Sequence, residues 1–427
     1  MALLIYTLDF NSRKSYVFEH IFKNILGLSY EITTDLNSYK NNNGAKISYH
    51  NGLDTALSFI AHSFINEKTI QKQVLAFADD NGFKIPFPVE NSVFNFDVFA
   101  ATFYFLSRYE EYTSKERDQH QRFEGKNSLA FQNRFITRPL IDEWAFAIAE
   151  KIKKQYPNFE IKARRFQFTP TLDIDRPYYY QTDSFLKSLI KKAKLSLKGQ
   201  FQYFNKDPFD VYKMVKNWDK KYQLKTLYFI LMGSKHLFDL APSIKNKTFQ
   251  KAIKEIAGNH QIGIHPSYFS NLNAEKIQHE KQALEIIANQ KISISRQHYL
   301  LLNLPKTYRD LISAGIKEDY TLAFADVAGF RALTCTPFFW YDLEKEEITS
   351  LLINPTTVMD QTLKKYMNLS AQEAEEKISE LIENVKNVNG TFISLWHNES
   401  INDFGAWKGW KRVYLAMIEK AMKNQQS

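Results

Sequence analysis

The sequence predicts an α/β protein in which a smaller α/β domain precedes a larger domain built on a parallel sheet. Its 427 residues exceed what one hydrophobic core commonly organises, so we expect two domains. Hydrophobic residues make up 44% of the chain and aromatic residues 15%, which is typical of packed globular domains. Beyond about residue 160, apolar strand-like runs alternate with helical runs, as in successive β–α units.

The predicted first domain spans residues 1–160. Strand-like runs (LLIYTLDF, AKISYH, QVLAFA) occur among helical runs that include SRKSYVFEHIFKNIL and DVFAATFYFLSRYEEY. A helix from Ile141 to Lys154 runs into the breaker cluster Tyr156-Pro157-Asn158, which favours a boundary between 155 and 165. The sequence does not indicate a role for this domain.

The predicted second domain spans residues 161–427. Its candidate strands are RFQFTPTLDID, LKTLYFILMG, HQIGIH, ISISRQHYL, IKEDYTL, ITSLLINP and TFISLWHN. Its candidate helices are VYKMVKNWDKKY, KTFQKAIKEIAG, AEKIQHEKQALEIIAN, PKTYRDLISAG, SAQEAEEKISELIENVKNV and GWKRVYLAMIEKAMK. This count of β–α steps favours a closed or distorted (β/α) barrel of about seven strands over an open sheet.

Composition argues against several classes of protein. The net charge is +9, but the lysines are mostly scattered among acids and no nucleic-acid motif is present, so we expect no nucleic-acid partner. The single cysteine, Cys335, excludes an internal disulfide and favours a reducing compartment.

The apolar start of the chain is followed by an acid and lacks a basic leader, which indicates a first strand. With no apolar run of about 18 residues, a cytoplasmic protein without a transmembrane segment is expected.

The lysine-rich stretch 185–198 (FLKSLIKKAKLSLK) predicts an amphipathic helix. The favoured interpretation is a surface helix that packs its apolar stripe on the barrel, as most amphipathic helices do. The alternative is an interfacial helix in peripheral contact with a membrane.

Polar residues follow several strands of the second domain. They are Asp173 and Asp175 after the first strand, His265 after the third, Arg296 and His298 after the fourth, Asp319 after the fifth and His397 after the last. The carboxyl ends of barrel strands share one rim, so these side chains are expected to converge on one pocket. Any one of them taken alone could instead be a helix cap or a satisfied core group.

The pair Asp173-Ile174-Asp175 carries the chemistry of this hypothesis. In a strand, residues i and i+2 face the same side, so the two carboxylates repel unless a cation or a shared proton relieves them. With a metal present, one carboxylate can ligate it while the other accepts a proton from water. The same D-x-D spacing also occurs in metal-dependent glycosyltransferases, which keeps that class as an alternative.

These residues together resemble the polysaccharide deacetylase family of carbohydrate esterases, in a divergent branch with an additional N-terminal domain. The resemblance covers roughly residues 165–425, and it rests on four short motifs in order: Thr171-Leu172-Asp173-Ile174-Asp175, Gly263-Ile264-His265, Arg296-Gln297-His298-Tyr299 and Leu395-Trp396-His397. It implies Asp173 as catalytic base, Asp175 and His265 as metal ligands and His397 as general acid. It also implies that Arg296 orients the base and that the Tyr299 backbone N–H stabilises an oxyanion.

The family pattern is incomplete at two places. Its second metal histidine falls on Phe269, whose ring offers no lone pair, and His298 is the preferred replacement. Ser267, Tyr268 or additional water are the alternatives at that position. The aspartate that tunes the acid histidine has three candidates, which are Asp319, Asp360 and Glu399.

The resemblance implies a hydrolase that cleaves a linear amide C–N bond and removes an N-acetyl or similar acyl group from a carbohydrate. One divalent ion is expected as cofactor, with Zn²⁺ preferred, and Arg331, Tyr268 and the faces of Trp340 and Trp396 are candidate substrate contacts, although core packing is the commoner role of tryptophan. Expected substrates are an N-acylated sugar, a sugar nucleotide or a lipid-linked saccharide from cell-surface polysaccharide biosynthesis. A catalytically impaired saccharide-binding relative remains the alternative that accounts for Phe269.

Overall fold

A computed structural model describes residues 2–50, 57–233 and 236–423. These residues form a four-stranded sheet, a nine-stranded sheet and a two-stranded hairpin, with helices packed around them. The α/β class predicted from the alternating apolar runs is therefore present.

The N-terminal part contains the four-stranded parallel sheet. Its strands are β1 (Leu3–Tyr6), β2 (Tyr30–Thr33), β3 (Lys46–Tyr49) and β4 (Ser58–Phe59), in the order β2-β1-β3-β4, and β5 (Phe77–Asp80) pairs with β6 (Phe83–Pro86) in the hairpin. The helices are α1 (Ser12–Phe18), α2 (Leu36–Asn41), α3 (Val98–Leu106), α4 (Tyr109–Thr113), α5 (Leu129–Gln132) and α6 (Leu140–Gln155). The run predicted as one helix after Asp97 is broken between α3 and α4, where Arg108 has φ +59°. Of the predicted strand QVLAFA, only the last two residues lie in β5.

The C-terminal part contains the nine-stranded sheet. Its strands are β7 (Gln167–Ile174), β8 (Leu227–Leu231), β9 (Ile262–His265), β10 (Ile294–Ser295), β11 (Glu318–Asp319), β12 (Phe338–Asp342), β13 (Glu347–Ile353), β14 (Val358–Met359) and β15 (Thr391–His397). They lie in the order β12-β13-β11-β10-β9-β8-β7-β15-β14, and β12 is antiparallel to its neighbour. The seven predicted strands are present, while β12 and β14 were not predicted.

The helices of the C-terminal part occur where the sequence predicts them. They are α7 (Phe185–Leu197), α8 (Tyr212–Tyr222), α9 (Lys247–Ala257), α10 (Ala274–Ala288), α11 (Lys306–Ser313), α12 (Ala371–Asn387) and α13 (Trp410–Met422). Periodic apolar positions explain them, since α9 buries Phe249, Ile253 and Ile256 on one face. In the described part of the chain, none of the helices is long and apolar enough to cross a membrane.

Residues 354–357 connect β13, next to one end of the large sheet, to β14 at its other end. In this link the Thr356 N–H donates to the carbonyl of Leu322 at 3.1 Å, and the Thr357 N–H donates to the carbonyl of Ile393 at 2.9 Å. The strand order itself is that of an open sheet. Closure into a distorted barrel therefore remains a prediction.

The N-terminal and C-terminal parts share one apolar cluster, which includes Ile5 of β1 and Ile230 of β8. Polar contacts cross the same boundary, since the Thr334 hydroxyl donates to the Asp142 carboxylate at 2.6 Å. Division into domains at 155–165 remains a prediction of the sequence.

The structure corrects the favoured interpretation of α7. Phe185, Leu186, Leu189, Ile190 and Leu197 expose between 44% and 87% of their surface, so the apolar stripe does not pack on the sheet. Leu195, on the opposite side of the helix, is buried. The physical reason is that α7 is rotated with its polar side toward the protein, which periodicity alone does not specify.

Candidate metal centre

Polar side chains converge at the carboxyl edge of the large sheet. Parallel strands end at the same edge, and their register places His397 opposite Asp173 on the neighbouring strand. Ser295, at the end of β10, pairs with Asp319 on one side and with Ile264 on the other. The chain therefore brings residues that are far apart in sequence to one cavity.

Three side chains offer donor atoms that lie within 4.8 Å of one another: Asp175, His265 and His298. His265 Nε2 is 3.4 Å from Asp175 Oδ1, and His298 Nε2 is 3.5 Å from Asp175 Oδ2. One carboxylate and two imidazoles form a common ligand set for a divalent metal ion. His298, two residues after Arg296, therefore places a second imidazole beside Asp175.

The outer nitrogen of each histidine is held by an acceptor. His265 Nδ1 lies 2.5 Å from the carbonyl oxygen of Arg296, and His298 Nδ1 lies 2.8 Å from Asp239 Oδ1. The same Asp239 oxygen accepts a hydrogen bond from the Tyr268 N–H at 3.0 Å. With Nδ1 donating, each ring directs Nε2 toward Asp175, which is the arrangement that ligating histidines adopt.

Asp175 bears the signs of a cation ligand. Its Oδ1 is buried without a hydrogen-bond partner among the described residues. Burial by itself raises the pKa of the Asp175 carboxyl, but the positive charge of His298 and the proximity of the His265 and His298 imidazoles outweigh it and hold that pKa well below its usual range. A buried carboxylate oxygen with an unused lone pair is stabilised by a cation, so these residues fit a divalent ion.

The electrostatics of His298 agree with this. Burial lowers the pKa of His298, but the carboxylates of Asp175 and Asp239 outweigh it and raise that pKa to about 9. The cluster thus attracts positive charge in the form of protons. Because ligating imidazoles must be neutral, a divalent cation competes with those protons for the same lone pairs.

Asp173 is held by Arg296. Arg296 Nη1 donates to Asp173 Oδ1 at 2.8 Å and to the Thr171 hydroxyl at 2.6 Å, while Nη2 donates to the Thr356 hydroxyl at 3.0 Å. The guanidinium is fully buried and lies 4.4 Å from the centroid of the Phe229 ring. Asp173 Oδ2 remains directed at the site, 3.6 Å from His265 Nε2.

His397 is paired with Asp360, one of the three carboxylates considered for this position. His397 Nδ1 lies 2.8 Å from Asp360 Oδ1, and the His397 N–H donates to Asp360 Oδ2 at 2.9 Å. Burial lowers the pKa of His397, but Asp360 outweighs it and the pKa rises to about 10. Asp319 instead accepts from Ser295 and Thr321, and Glu399 lines the cavity without binding Nδ1.

The cavity in front of these groups has a volume of about 340 Å³, within the range of small-molecule sites. Aromatic, apolar and cationic side chains line it beside the polar groups, among them Arg122, Phe238, Leu240, Tyr299, Lys365 and Tyr366. Of these, only Tyr299 was predicted. The sequence could have indicated Asp239 and Phe238, since they follow β8 at the same edge of the sheet. Arg122 comes from the N-terminal part, where no sequence pattern indicates a place in the cavity.

Arg122 fixes the turn that carries Tyr299. Its Nη1 donates to the Tyr299 carbonyl at 2.9 Å, its Nη2 donates to the Tyr366 hydroxyl at 3.0 Å, and Asp118 accepts from its Nε at 2.8 Å. Tyr299 and Leu300 have φ values of +60° and +54°. Left-handed backbone at such residues costs on the order of 1–3 kcal/mol each, so the Arg122 contact stabilises a strained turn at the cavity.

Three predicted substrate contacts lie elsewhere. Arg331 is buried and its Nη2 donates to Glu111 Oε2 at 2.6 Å, so its guanidinium is already paired. Trp396 is buried against Trp410 and Tyr414, and Trp340 is buried against Tyr308, so both tryptophans pack in the core.

Three residues that follow the motif Gly263-Ile264-His265 were also considered as ligands or substrate contacts, and the structure places each of them: Ser267, Tyr268 and Phe269. Tyr268 lies near the cavity, where its ring is 4.2 Å from that of Phe238 and its hydroxyl is 3.1 Å from His120 Nδ1. Phe269 is half-exposed and packs against the His236 ring at 4.3 Å. Ser267 donates its hydroxyl hydrogen to Glu280 at 2.5 Å, so neither Phe269 nor Ser267 belongs to the donor cluster.

Comparison with known proteins gives distant matches. A profile described as "Family of unknown function (DUF7033)" matches residues 3–157. No curated protein sequence matches the chain.

Solved structures give three further comparisons. A Mycobacterium smegmatis protein described as a polysaccharide deacetylase is 12% identical, with a TM-score of 0.41 over 62% of this chain and 86% of that one. The polysaccharide deacetylase Bc1974 from Bacillus cereus is 13% identical, with a TM-score of 0.30 over 60% and 87%. BA3943 from Bacillus anthracis, a CE4 family pseudoenzyme, is 12% identical, with a TM-score of 0.27 over 60% and 62%. Likenesses this distant carry no argument about the activity of this chain.

Proposed function

We propose that this protein is a metal-dependent hydrolase that removes an N-acetyl or similar acyl group from a carbohydrate. The observation that carries the proposal is the cluster of Asp175, His265 and His298, flanked by Asp173 on one side and His397 on the other. A carboxylate base, a histidine acid and a cation site around one cavity are the groups that amide hydrolysis requires.

Asp175, His265 and His298 would hold one divalent ion, and two nitrogen donors with one carboxylate favour Zn²⁺ with an open position. When bound, such an ion supplies Lewis acidity, which polarises an acyl carbonyl and acidifies water next to it. The retained Nδ1 hydrogen bonds of both histidines keep the donor atoms directed at this position before an ion arrives.

Asp173 is the proposed general base. Arg296 occupies Oδ1, so the lone pairs of Oδ2 remain to accept the proton of an attacking water. The four hydrogen bonds that Arg296 donates to Thr171, Asp173, Tyr320 and Thr356 fix the position of this carboxylate. Arg296 is in this sense a positioning residue.

His397 is the proposed general acid. Asp360 holds Nδ1, which leaves Nε2 directed at the cavity, 3.8 Å from Asp175 Oδ2. A raised pKa keeps the imidazole protonated at neutral pH, so Nε2 can deliver a proton to the departing amine. The Tyr299 backbone N–H, in the turn that Arg122 fixes, is the proposed donor to the oxyanion.

The proposed substrate is an N-acylated sugar, sugar nucleotide or lipid-linked saccharide in cytoplasmic assembly of cell-surface polysaccharide. Tyr299 and Tyr366 on the cavity wall offer faces for a sugar ring, while Lys365 offers positive charge to a phosphate. The proposal includes a distorted barrel for the C-terminal domain and a separate N-terminal domain that contributes Arg122.

The experiment measures metal content and acetate release together. Wild type, His265→Ala, His298→Ala and the control His279→Ala, which changes an exposed histidine on α10, are purified and incubated with N-acetylated oligosaccharides and sugar nucleotides. We expect one equivalent of metal and acetate release in wild type and control, and loss of both in the two variants. Full metal occupancy in His298→Ala removes that residue from the site.

Two other outcomes separate the remaining classes. Saccharide binding without acetate release identifies a non-catalytic relative and contradicts the hydrolase. Consumption of a nucleotide-sugar donor with transfer of the sugar to an acceptor identifies a D-x-D glycosyltransferase.

A further inference from the structure

Helix α7 presents its apolar side to solvent. With about 100° between successive residues, Phe185, Leu186, Leu189, Ile190, Ala193 and Leu197 fall on one face, and all six are exposed. A surface helix commonly turns such a stripe toward the core. The opposite orientation leaves a contiguous apolar surface that the fold itself does not cover, and exposed apolar patches of this kind mark interaction sites.

The orientation of α7 is held by contacts on its other face. Leu195 is buried, and Lys191 Nζ donates to the Tyr179 carbonyl at 2.6 Å and lies 2.5 Å from Asp183 Oδ2. Lys192 Nζ lies over the Tyr180 and Phe204 rings, 5.0 and 5.2 Å from their centroids. These polar and cation–π contacts hold the helix on the protein with its apolar side outward.

Three further lysines border the apolar face. Lys187, Lys194 and Lys198 are exposed, and at helical spacing they lie in one row along its edge. An apolar stripe flanked by lysines is the composition of a helix that lies in the plane of a membrane interface. Phe201, in the turn after α7, is also exposed.

We propose that α7 docks this protein onto an anionic lipid bilayer, with the apolar face entering the headgroup boundary and the lysine row contacting anionic headgroups. The charge of the chain favours lipid over a second copy as occupant, because two molecules with a net charge of +9 would bring two lysine rows together. An anionic surface complements the same row.

The test uses the full chain and sedimentation with vesicles of phosphatidylcholine alone or mixed with phosphatidylglycerol. We expect binding to the mixed vesicles that weakens with added salt. Leu186→Glu with Ile190→Glu should abolish it. Lys187→Gln, Lys194→Gln and Lys198→Gln should each weaken partitioning by about fivefold.

The matched control is Ile286→Glu on α10, which changes an equally exposed apolar residue outside the patch and should bind as wild type. All these positions are exposed, so the thermal unfolding midpoint should stay unchanged and report intact folding. Wild type that fails to bind mixed vesicles overturns the proposal. So does a dimer, seen by analytical ultracentrifugation, that the Leu186→Glu and Ile190→Glu double variant dissociates while vesicle binding is unaffected.

Discussion

Asp239 offers a sharp test of the metal centre, because it contacts the proposed ligand His298 without offering a donor to the ion cluster. It is buried, and its Oδ1 accepts from the His298 ring at 2.8 Å and from the Tyr268 N–H at 3.0 Å. These contacts fix the tautomer that leaves His298 Nε2 unprotonated and also raise the basicity of the ring. Replacing Asp239 is therefore expected to alter metal affinity through His298.

The two informative substitutions are Asp239→Asn and Asp239→Ala. Removal of such an acceptor commonly lowers metal affinity by 10–100-fold, roughly 1.4–2.7 kcal/mol. Asparagine keeps an acceptor oxygen for both hydrogen bonds but loses the charge, so we expect about tenfold weaker binding. Alanine loses both and frees the tautomer, so we expect about a hundredfold.

Metal affinity is measured by competition with a chromophoric chelator at constant pH. The control is Asp310→Asn, which removes a buried carboxylate that pairs with Lys306 on α11, and it should bind metal as wild type does. Unchanged affinity in Asp239→Ala, in a protein where His298→Ala loses the metal, would show that Asp239 does not tune the site. If the Asn and Ala variants lose the same metal affinity, the acceptor oxygen that asparagine retains does not support His298, and the reasoning is refuted.

Four further outcomes are expected. His397→Asn should lower acetate release by about a hundredfold to ten-thousandfold with the metal retained, and His279→Asn, on an exposed helix face, should change neither quantity. Arg296→Met should destabilise the fold by about 3–5 kcal/mol in urea unfolding, because a buried aspartate loses its partner, and an unchanged midpoint contradicts this. Gly263→Ala should cost about 1–3 kcal/mol in the same assay, because its Cβ would lie 2.8 Å from a buried phenyl ring of β8. Burial raises the pKa of Asp97 from 3.8 to about 6. The free energy of unfolding therefore keeps its full contribution from protonated Asp97 below about pH 4 and loses it as the pH rises through 6. That loss is about 3 kcal/mol, and Asp97→Asn should remove it from the pH profile of unfolding.

The sequence alone determined most secondary-structure elements and the positions of the polar groups on them. Apolar runs with helical or extended periodicity predicted α8 to α13 and the strands β7 to β11. Polar residues at strand ends indicated that Asp175, His265 and His298 meet, because parallel strands share one edge. The strands β12 and β14 escaped prediction, since β14 has only two residues and β12 returns antiparallel from a long loop.

Only the tertiary structure decided which groups become partners. Asp360, Asp319 and Glu399 are equivalent as sequence signals, and chain packing selects Asp360 for His397. Arg122 reaches Tyr299 across 177 residues, and Arg331 turns away from the cavity toward Glu111. Periodicity specifies which residues share a face, but the direction of that face depends on contacts with distant segments. For the same reason the outward rotation of α7 could be seen only after the whole chain was folded.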